Sequence, residues 1–178
     1  LSKTLTIKQQ KLIIISALTA KGDLIPLKKQ LVAGLQAGLT VNEIKEALVH
    51  LYAYCGFPRS IRGLQTFMVV LDERKKQGIK ENLGKQATPI HDDRSKFERG
   101  KSVLETLTGA SQDGPKAGYA AFSPEIEIFL KEHLFADIFE RDVLSFADRE
   151  LITVSVLSSI GGVEPMLNSH FTICLNLG

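Results

Sequence analysis

The sequence has few of the residues that cross-link or anchor proteins. Its two cysteines, Cys55 and Cys174, lie far apart and show neither a disulfide framework nor metal-ligand spacing. No apolar run approaches the ~20 residues that a membrane-spanning helix requires, and no signal peptide is visible. We therefore expect no disulfide, no metal site and no membrane partner, in a compartment compatible with reduced thiols.

A strong charge of either sign is also absent. The formal net charge is +2, from 22 basic and 20 acidic residues mixed along the chain, which argues against nucleic acid as a partner. No low-complexity tract is present, so disorder and collagen are excluded. A cytoplasmic location is expected; because the sequence begins at Leu1, export after removal of a signal segment is the alternative.

Strand alternation is missing too, and helical periodicity dominates, which predicts an all-α fold. Thr6 is followed three residues later by Gln9, and Thr40 by Glu43. This spacing predicts a capping box at the start of two helices. The first of these helices is expected to end near Gly22.

The third predicted helix begins at Thr40 and is broken by Gly56 and Pro58. Polar residues at intervals of four lie opposite its apolar stripe, and we expect them to face solvent or another subunit: Glu46, His50 and Tyr54. A fourth helix is then expected to bury Ile61, Leu64, Phe67, Met68 and Leu71.

One helical unit occurs twice. Residues 144–178 follow the plan of residues 5–38, with one extra residue near Met166. The shared positions belong to a helix pair and its stop signals. Among them Leu12 corresponds to Leu151, Ser16 to Ser155, Gly22 to Gly161, Pro26 to Pro165 and Gly38 to Gly178.

The two copies differ in their chemistry. Lys11 and Gln30 of the first copy become Glu150 and His170 in the second. His170 lies on the apolar face of its predicted helix, together with Leu167, Phe171 and Cys174. A glutamate and a histidine that meet across a helix pair would form a proton-transfer unit. The alternatives are a first-turn glutamate favoured by the helix dipole and a core histidine with one hydrogen bond.

The sequence divides into two helical units. Residues 1–78 form the first, residues 79–95 are polar and read as a linker, and residues 96–178 form the second. Residues 109–122 are expected to form a Gly-rich loop within the second unit. That unit has no copy of the last helix pair of the first, so its apolar faces lack partners. Either residues beyond Gly178 or another subunit cover them, and a homo-oligomer is expected.

Other candidate site residues lie outside the Glu150 and His170 pair. Arg59 and Arg62 either bind a substrate carboxylate through bidentate hydrogen bonds or form salt bridges at the surface. Tyr54 is a further candidate for substrate binding. Cys174, four residues after His170, is either a thiol activated by the imidazole or a buried core cysteine.

Four segments together resemble the carboxymuconolactone decarboxylase family, whose relatives include the alkylhydroperoxidase D proteins. They are AGLTVNEIKEALVHLYAYCGFPRSIRGL, RGKSVLETLTG, EIEIFLKEHLFADIF and VLSFADRELITVSVLSSIGGVEPMLNSHF. The resemblance implies an all-α, alkylhydroperoxidase D-like bundle that assembles as trimers or hexamers. It also implies an active site in the helical core, near subunit contacts.

The resemblance leaves two chemistries open. Decarboxylase members act on a lactone acid without a metal or organic cofactor, and they need a proton donor and a site for the carboxylate. Redox members use a Cys-x-x-Cys pair between a glutamate and a histidine. Glu150 and His170 match these outer positions, but Gly162 and Pro165 or Met166 stand where the cysteines would be. Decarboxylation or related proton transfer on a small lactone or keto acid is therefore expected. A peroxiredoxin-type antioxidant and a non-catalytic oligomeric binding protein are the alternatives.

Overall fold

The computed structural model describes residues 4–178, and within that range the chain forms helices and no strands. The predicted all-α fold is confirmed. The first three residues of the predicted first unit lie outside the described residues. The α-helices are α1 Ile7–Lys21, α2 Leu24–Gln36, α3 Val41–His50, α4 Tyr52–Lys76, α5 Lys96–Thr108, α6 Gly118–Phe122, α7 Pro124–Phe129, α8 Phe146–Ile160 and α9 Glu164–Leu177, and a π-helix, Leu130–Ile138, continues α7.

Both predicted capping boxes are present. Thr6 Oγ1 accepts a hydrogen bond from the Gln9 amide at 3.2 Å, and the Gln9 side chain accepts one from the Thr6 amide at 3.0 Å. Thr40 and Glu43 form the same arrangement at the start of α3. These bonds satisfy amide groups that the first turn of a helix leaves without partners. As expected, α1 ends at Gly22, which adopts a left-handed conformation with φ 78°.

Two apolar cores hold the helices together. The larger core lies among α1, α2, α3, α4 and α8, and α1 packs along α8. Its most deeply buried side chains include Ile15, Leu27, Leu31, Ile44, Leu48 and Ile152. The smaller core joins α5, the π-helix and α9 through Leu107, Leu134, Phe135, Ile138, Phe139 and Ile173.

The junction between α3 and α4 differs from the prediction. The third helix ends at His50 and does not continue to the break at Gly56, because α4 already begins at Tyr52. Gly56 instead kinks α4, with φ 81° and ψ 159°, a conformation that glycine adopts without the strain a Cβ atom would cause. Pro58 follows directly after the kink, where the missing amide hydrogen costs little.

The buried face of α4 also differs from the prediction. Ile61 and Met68 were expected in the core but are exposed, Met68 to 67%. The buried stripe contains small residues instead, because α4 approaches its neighbours closely. A Cβ atom on Gly63 would lie 2.8 Å from Thr19 Cγ2, so a larger residue there would force its neighbours to shift. The residues that α4 buries are Ser60, Gly63, Phe67 and Val70.

The predicted linker, residues 79–95, contains no helix or strand, yet hydrogen bonds attach it to the helices. The backbone oxygens of Asn82 and Leu83 accept hydrogen bonds from the first two amides of α3 at 3.0 Å. Further along, the Thr88 amide and hydroxyl donate to the Asp142 carboxylate, each at 2.9 Å. The segment therefore contacts both predicted units.

The first part of the second unit, which starts at residue 96, contains more helix than expected. Residues 118–122 of the predicted loop form α6. The following π-helix packs on α5, and the two backbones approach closely at Gly100. A Cβ atom there would lie 1.8 Å from the backbone oxygen of Lys131, so the position requires glycine. The close contact with Gly100 therefore fixes the position of the Lys131 backbone on the π-helix.

Candidate functional site

Glu150 on α8 and His170 on α9 meet side by side. The distance from His170 Nδ1 to Glu150 Oε2 is 2.6 Å. Glu150 is fully buried, and the His170 side chain is 14% exposed. Burial of a carboxylate is costly unless it is paired, and His170 provides that partner. Among the described residues, neither Glu150 Oε1 nor His170 Nε2 has a hydrogen-bond partner.

His170 opens onto a cavity of about 800 Å³. The cavity lies within the size range of small-molecule sites, about 300–1,000 Å³. Apolar side chains from α5, the π-helix, α8 and α9 form most of its wall, among them Leu104, Leu134, Phe135, Leu157 and Ile173. Tyr54 and His170 add polar groups, and Glu127 and Lys131 add charged ones. This composition suits a mainly apolar ligand with few polar groups.

Tyr54 lies at the same wall, with its hydroxyl buried behind it. Its ring lies edge-on to the His170 ring, with a centroid distance of 5.9 Å. The hydroxyl oxygen is buried, close to Thr153 and the Glu150 carboxylate. Burial and the neighbouring Glu150 carboxylate raise the pKa of Tyr54 far above its ordinary value of 10.0, so the hydroxyl remains a donor at neutral pH.

Behind this wall lies a buried ionic network, and it corrects one prediction. Glu46 and His50 were expected to face solvent or another subunit, but both are buried. The physical reason is Arg149 on α8, itself fully buried, whose Nη2 donates to Glu46 Oε1 at 2.7 Å. Arg141 adds a second guanidinium, with Nε 2.8 Å from Glu46 Oε1 and Nη2 3.0 Å from Oε2. Glu46 is thus surrounded by charge partners that make its burial tolerable.

The hydrogen bonds around His50 fix its tautomer. Arg149 Nη1 lies 3.3 Å from His50 Nδ1, and a guanidinium can only donate, so Nδ1 accepts. His50 Nε2 therefore carries the proton and donates to Thr153 Oγ1 at 2.9 Å, while Thr153 donates to the Arg149 carbonyl oxygen at 2.9 Å. Burial, Arg149 and His170 hold the pKa of His50 well below 6.5, so His50 is neutral.

Comparison with known protein families finds a match in the first part of the chain. Residues 2–67 match the sequence model of the carboxymuconolactone decarboxylase family. The match covers 66 of the 178 residues and shows that this part of the chain is similar to that family. No curated protein matches the chain. The family segment supplies Glu46, His50 and Tyr54, whereas Glu150 and His170 lie outside it.

The two arginines of the family segment lie away from the cavity. Arg59 and Arg62 are exposed on α4, and neither lines the cavity wall. Arg62 Nη1 donates to Gln65 Oε1 at 2.7 Å on the helix surface. The Arg59 guanidinium lies against Gly22, where a Cβ atom would collide with it. The structure therefore does not bring either arginine to Glu150 and His170.

The two thiols show no activation. Cys55, in the family segment, and Cys174 on α9 are both free and half-buried. Burial raises the pKa of each thiol to about 11, and the Glu150 carboxylate adds to the effect at Cys174. Phe171, which was expected on the same apolar face, is exposed. Within the described part of the chain, no three His, Cys, Asp or Glu side chains are grouped so as to hold a metal ion. Nor does any helix in that part have the length and apolarity needed to cross a membrane.

Sequence reasoning missed Arg149, Thr153 and Lys131. Arg149 directly precedes Glu150, but its partner Glu46 lies 103 residues away, so no local spacing links them. Lys131 lies in a π-helix, whose wider turn does not follow the period used to assign helix faces. Glu132 and His133 directly follow Lys131, so nothing in the local sequence distinguished this lysine from an exposed polar residue.

Proposed function

We propose that this protein, part of which is similar to the carboxymuconolactone decarboxylase family, catalyses a proton transfer that needs no cofactor. Decarboxylation of a small lactone or keto acid is the reaction that fits the site best. One observation carries the proposal: the 2.6 Å contact between His170 and Glu150 lies at the wall of a mainly apolar cavity of about 800 Å³. An acid–base pair at the edge of such a cavity is an arrangement suited to general acid catalysis.

Each side chain of the site has a role in the proposed reaction. As carbon dioxide leaves, the bond between it and the substrate carbon breaks, and the electron pair passes into an enolate. His170, protonated and held through Nδ1 by Glu150, delivers a proton from Nε2 to that carbon. The Tyr54 ring, at the same wall, contacts the bound substrate. His170 then recovers a proton from solvent.

Helices from both predicted units build the proposed site. α8 and α9 supply Glu150 and His170, and α4 supplies Tyr54. At the corresponding positions of the first copy, Lys11 Nζ donates a hydrogen bond to Gln30 Oε1 at 3.2 Å. That pair contains no carboxylate and no imidazole. We therefore expect one working site in each chain.

A screen in heavy water tests the proposal. Lactone acids and β-keto acids are incubated with the protein, and both carbon dioxide release and deuterium in the product are measured. We expect one deuterium at the carbon that lost carbon dioxide. Purified His170→Gln should release carbon dioxide far more slowly while remaining folded. Equal release by the two proteins would leave His170 with a structural role, and release by neither would favour a non-catalytic binding protein.

The proposed assembly is a homo-oligomer, a trimer or hexamer. Large apolar side chains are exposed on α9 and around α6, including Leu175 at 81% and Phe122 at 92%. Exposed apolar surface of this kind commonly marks an interface. Sedimentation equilibrium at micromolar concentration should show a species larger than the 19.6 kDa monomer. A monomer at that concentration would contradict the proposal.

A further inference from the structure

The cavity contains a buried cation that the proposed proton transfer does not use. Lys131, on the π-helix, lines the cavity together with His170, and its side chain is only 4% exposed. A lysine this deeply buried is rare unless something pairs with it. Its backbone is held in place by the close contact of the π-helix with Gly100.

The hydrogen-bond donors of Lys131 are not all satisfied. An ammonium group has three N–H donors. Glu127 Oε1 accepts one of them at 2.6 Å, and the Phe97 ring lies 4.8 Å from Nζ. Among the described residues no other oxygen or nitrogen accepts from Nζ. The described residues therefore leave at least one donor of this buried ammonium group without an acceptor, a state that is costly in an apolar site.

The charge around Lys131 is also incompletely balanced. Glu127 is its only direct carboxylate partner among the described residues, and Lys116 approaches the other oxygen of the same carboxylate at 2.5 Å. Two ammonium groups thus share one negative charge. Asp113 also acts on Lys131, but it is paired with Lys101 at 2.5 Å. The surplus positive charge of the Lys116, Glu127 and Lys131 cluster favours an anion in the cavity.

We propose that Lys131 binds the carboxylate of a mainly apolar organic acid in this cavity. The acid's body then contacts the apolar wall, including Leu134 and Ile173, and faces His170. This inference rests on the proposed function, since it names the group that holds the substrate acid. Lys131 thus takes the carboxylate-binding role for which Arg59 and Arg62 were candidates.

The test measures binding and does not require turnover. Wild-type protein is titrated by calorimetry at neutral pH with 2-naphthoate and 2-naphthamide, which share a ring system and differ in charge. We expect naphthoate to bind about ten- to a hundredfold more tightly, the range for a hydrogen bond to a charged group. Lys131→Met should lose this preference while keeping its affinity for naphthamide. Lys131→Arg should keep the preference.

Two further variants control for structural effects. Lys101→Met removes a neighbouring positive charge that does not line the cavity, and it should leave the preference unchanged. Lys131→Gln keeps a hydrogen bond to Glu127 and serves where Lys131→Met is poorly folded by circular dichroism. Equal affinity of the wild type for both probes, or an undiminished preference in Lys131→Met or Lys131→Gln, would overturn the proposal.

His170→Gln separates this inference from the proposed function. It should keep a Lys131-dependent preference for naphthoate over naphthamide while losing turnover. If the wild type shows no proton transfer on any substrate but retains the Lys131-dependent preference for naphthoate, the cavity is an acid-binding site and only the catalytic proposal fails.

Discussion

Lys11 Nζ and Gln30 Oε1 form a hydrogen bond of 3.2 Å that joins α1 to α2. Glu150 and His170 join α8 to α9 through a contact of 2.6 Å at the corresponding positions. α1 and α8 also pack against each other. Under the predicted repeat, the first helix pair offers an internal reference, with a side-chain contact across the pair but without the acid and the imidazole.

The His170→Gln variant should lose activity and remain folded. Glutamine is the residue that the first helix pair has at this position, where it accepts a hydrogen bond from its partner. Turnover of a lactone or β-keto acid substrate should fall about 10²- to 10⁴-fold, the range for a lost general acid or base. Steady-state kinetics and thermal unfolding, measured on the same sample, check both parts.

The reverse substitution is the matched control. Gln30→His should create no activity, because Lys11 stands where a carboxylate would be needed to hold a charged imidazole. If His170→Gln stays folded with undiminished turnover, His170 is a structural residue and the assignment of Glu150 and His170 fails.

Much of the fold follows from local sequence. The capping boxes at Thr6 and Thr40 set the starts of α1 and α3, since each depends on residues three positions apart. The face that α4 buries was harder to assign. Its stripe includes Ser60 and Gly63, whose small size permits close packing, and a search for large apolar residues does not detect such positions.

The candidate site, like the fold, is only partly predictable from local sequence. Glu150 and His170 lie 20 residues apart on consecutive helices. Their contrast with Lys11 and Gln30 of the first copy marks them in the sequence as a candidate acid–base pair. The pairing of Arg149 with Glu46 depends on how α3 and α8 pack in three dimensions. Without that contact, Glu46 is indistinguishable from a surface glutamate.

The thiols should be poor nucleophiles at neutral pH. Burial raises the pKa of Cys55 and Cys174 to about 11, so only about one thiol in ten thousand is ionised at pH 7, against a few per cent for an ordinary cysteine. Alkylation by iodoacetamide should be slow at pH 7 and should accelerate as pH rises towards 11. Peroxide reduction coupled to a dithiol should be near background, and robust turnover that disappears in Cys174→Ser would contradict this.

The buried pair of Glu46 and Arg149 should be important for stability. Glu46→Leu leaves the Arg149 guanidinium buried without a carboxylate, which should lower the free energy of unfolding by about 3–5 kcal/mol. Lys28→Met, which removes an exposed partner of Glu73, should cost less than about 1 kcal/mol. Urea denaturation provides the comparison. Adding Arg149→Met to Glu46→Leu should recover part of the loss, and strictly additive losses would argue against a coupled pair.

His50 should make the protein less stable as pH falls. Burial, together with the charges of Arg149 and His170, lowers the pKa of His50 well below 6.5 in the folded protein. Below pH 6.5 the unfolded chain binds a proton at this residue while the folded protein does not, so the free energy of unfolding decreases with decreasing pH. The contribution of His50 has a maximum slope of about 1.4 kcal/mol per pH unit. Urea denaturation between pH 5 and pH 7 should show a free energy of unfolding that falls with decreasing pH, more steeply in the wild type than in His50→Gln. The ring resonances of His50, followed by NMR over the same interval, should not titrate, and a midpoint near pH 6.5 would show that His50 is not buried as described.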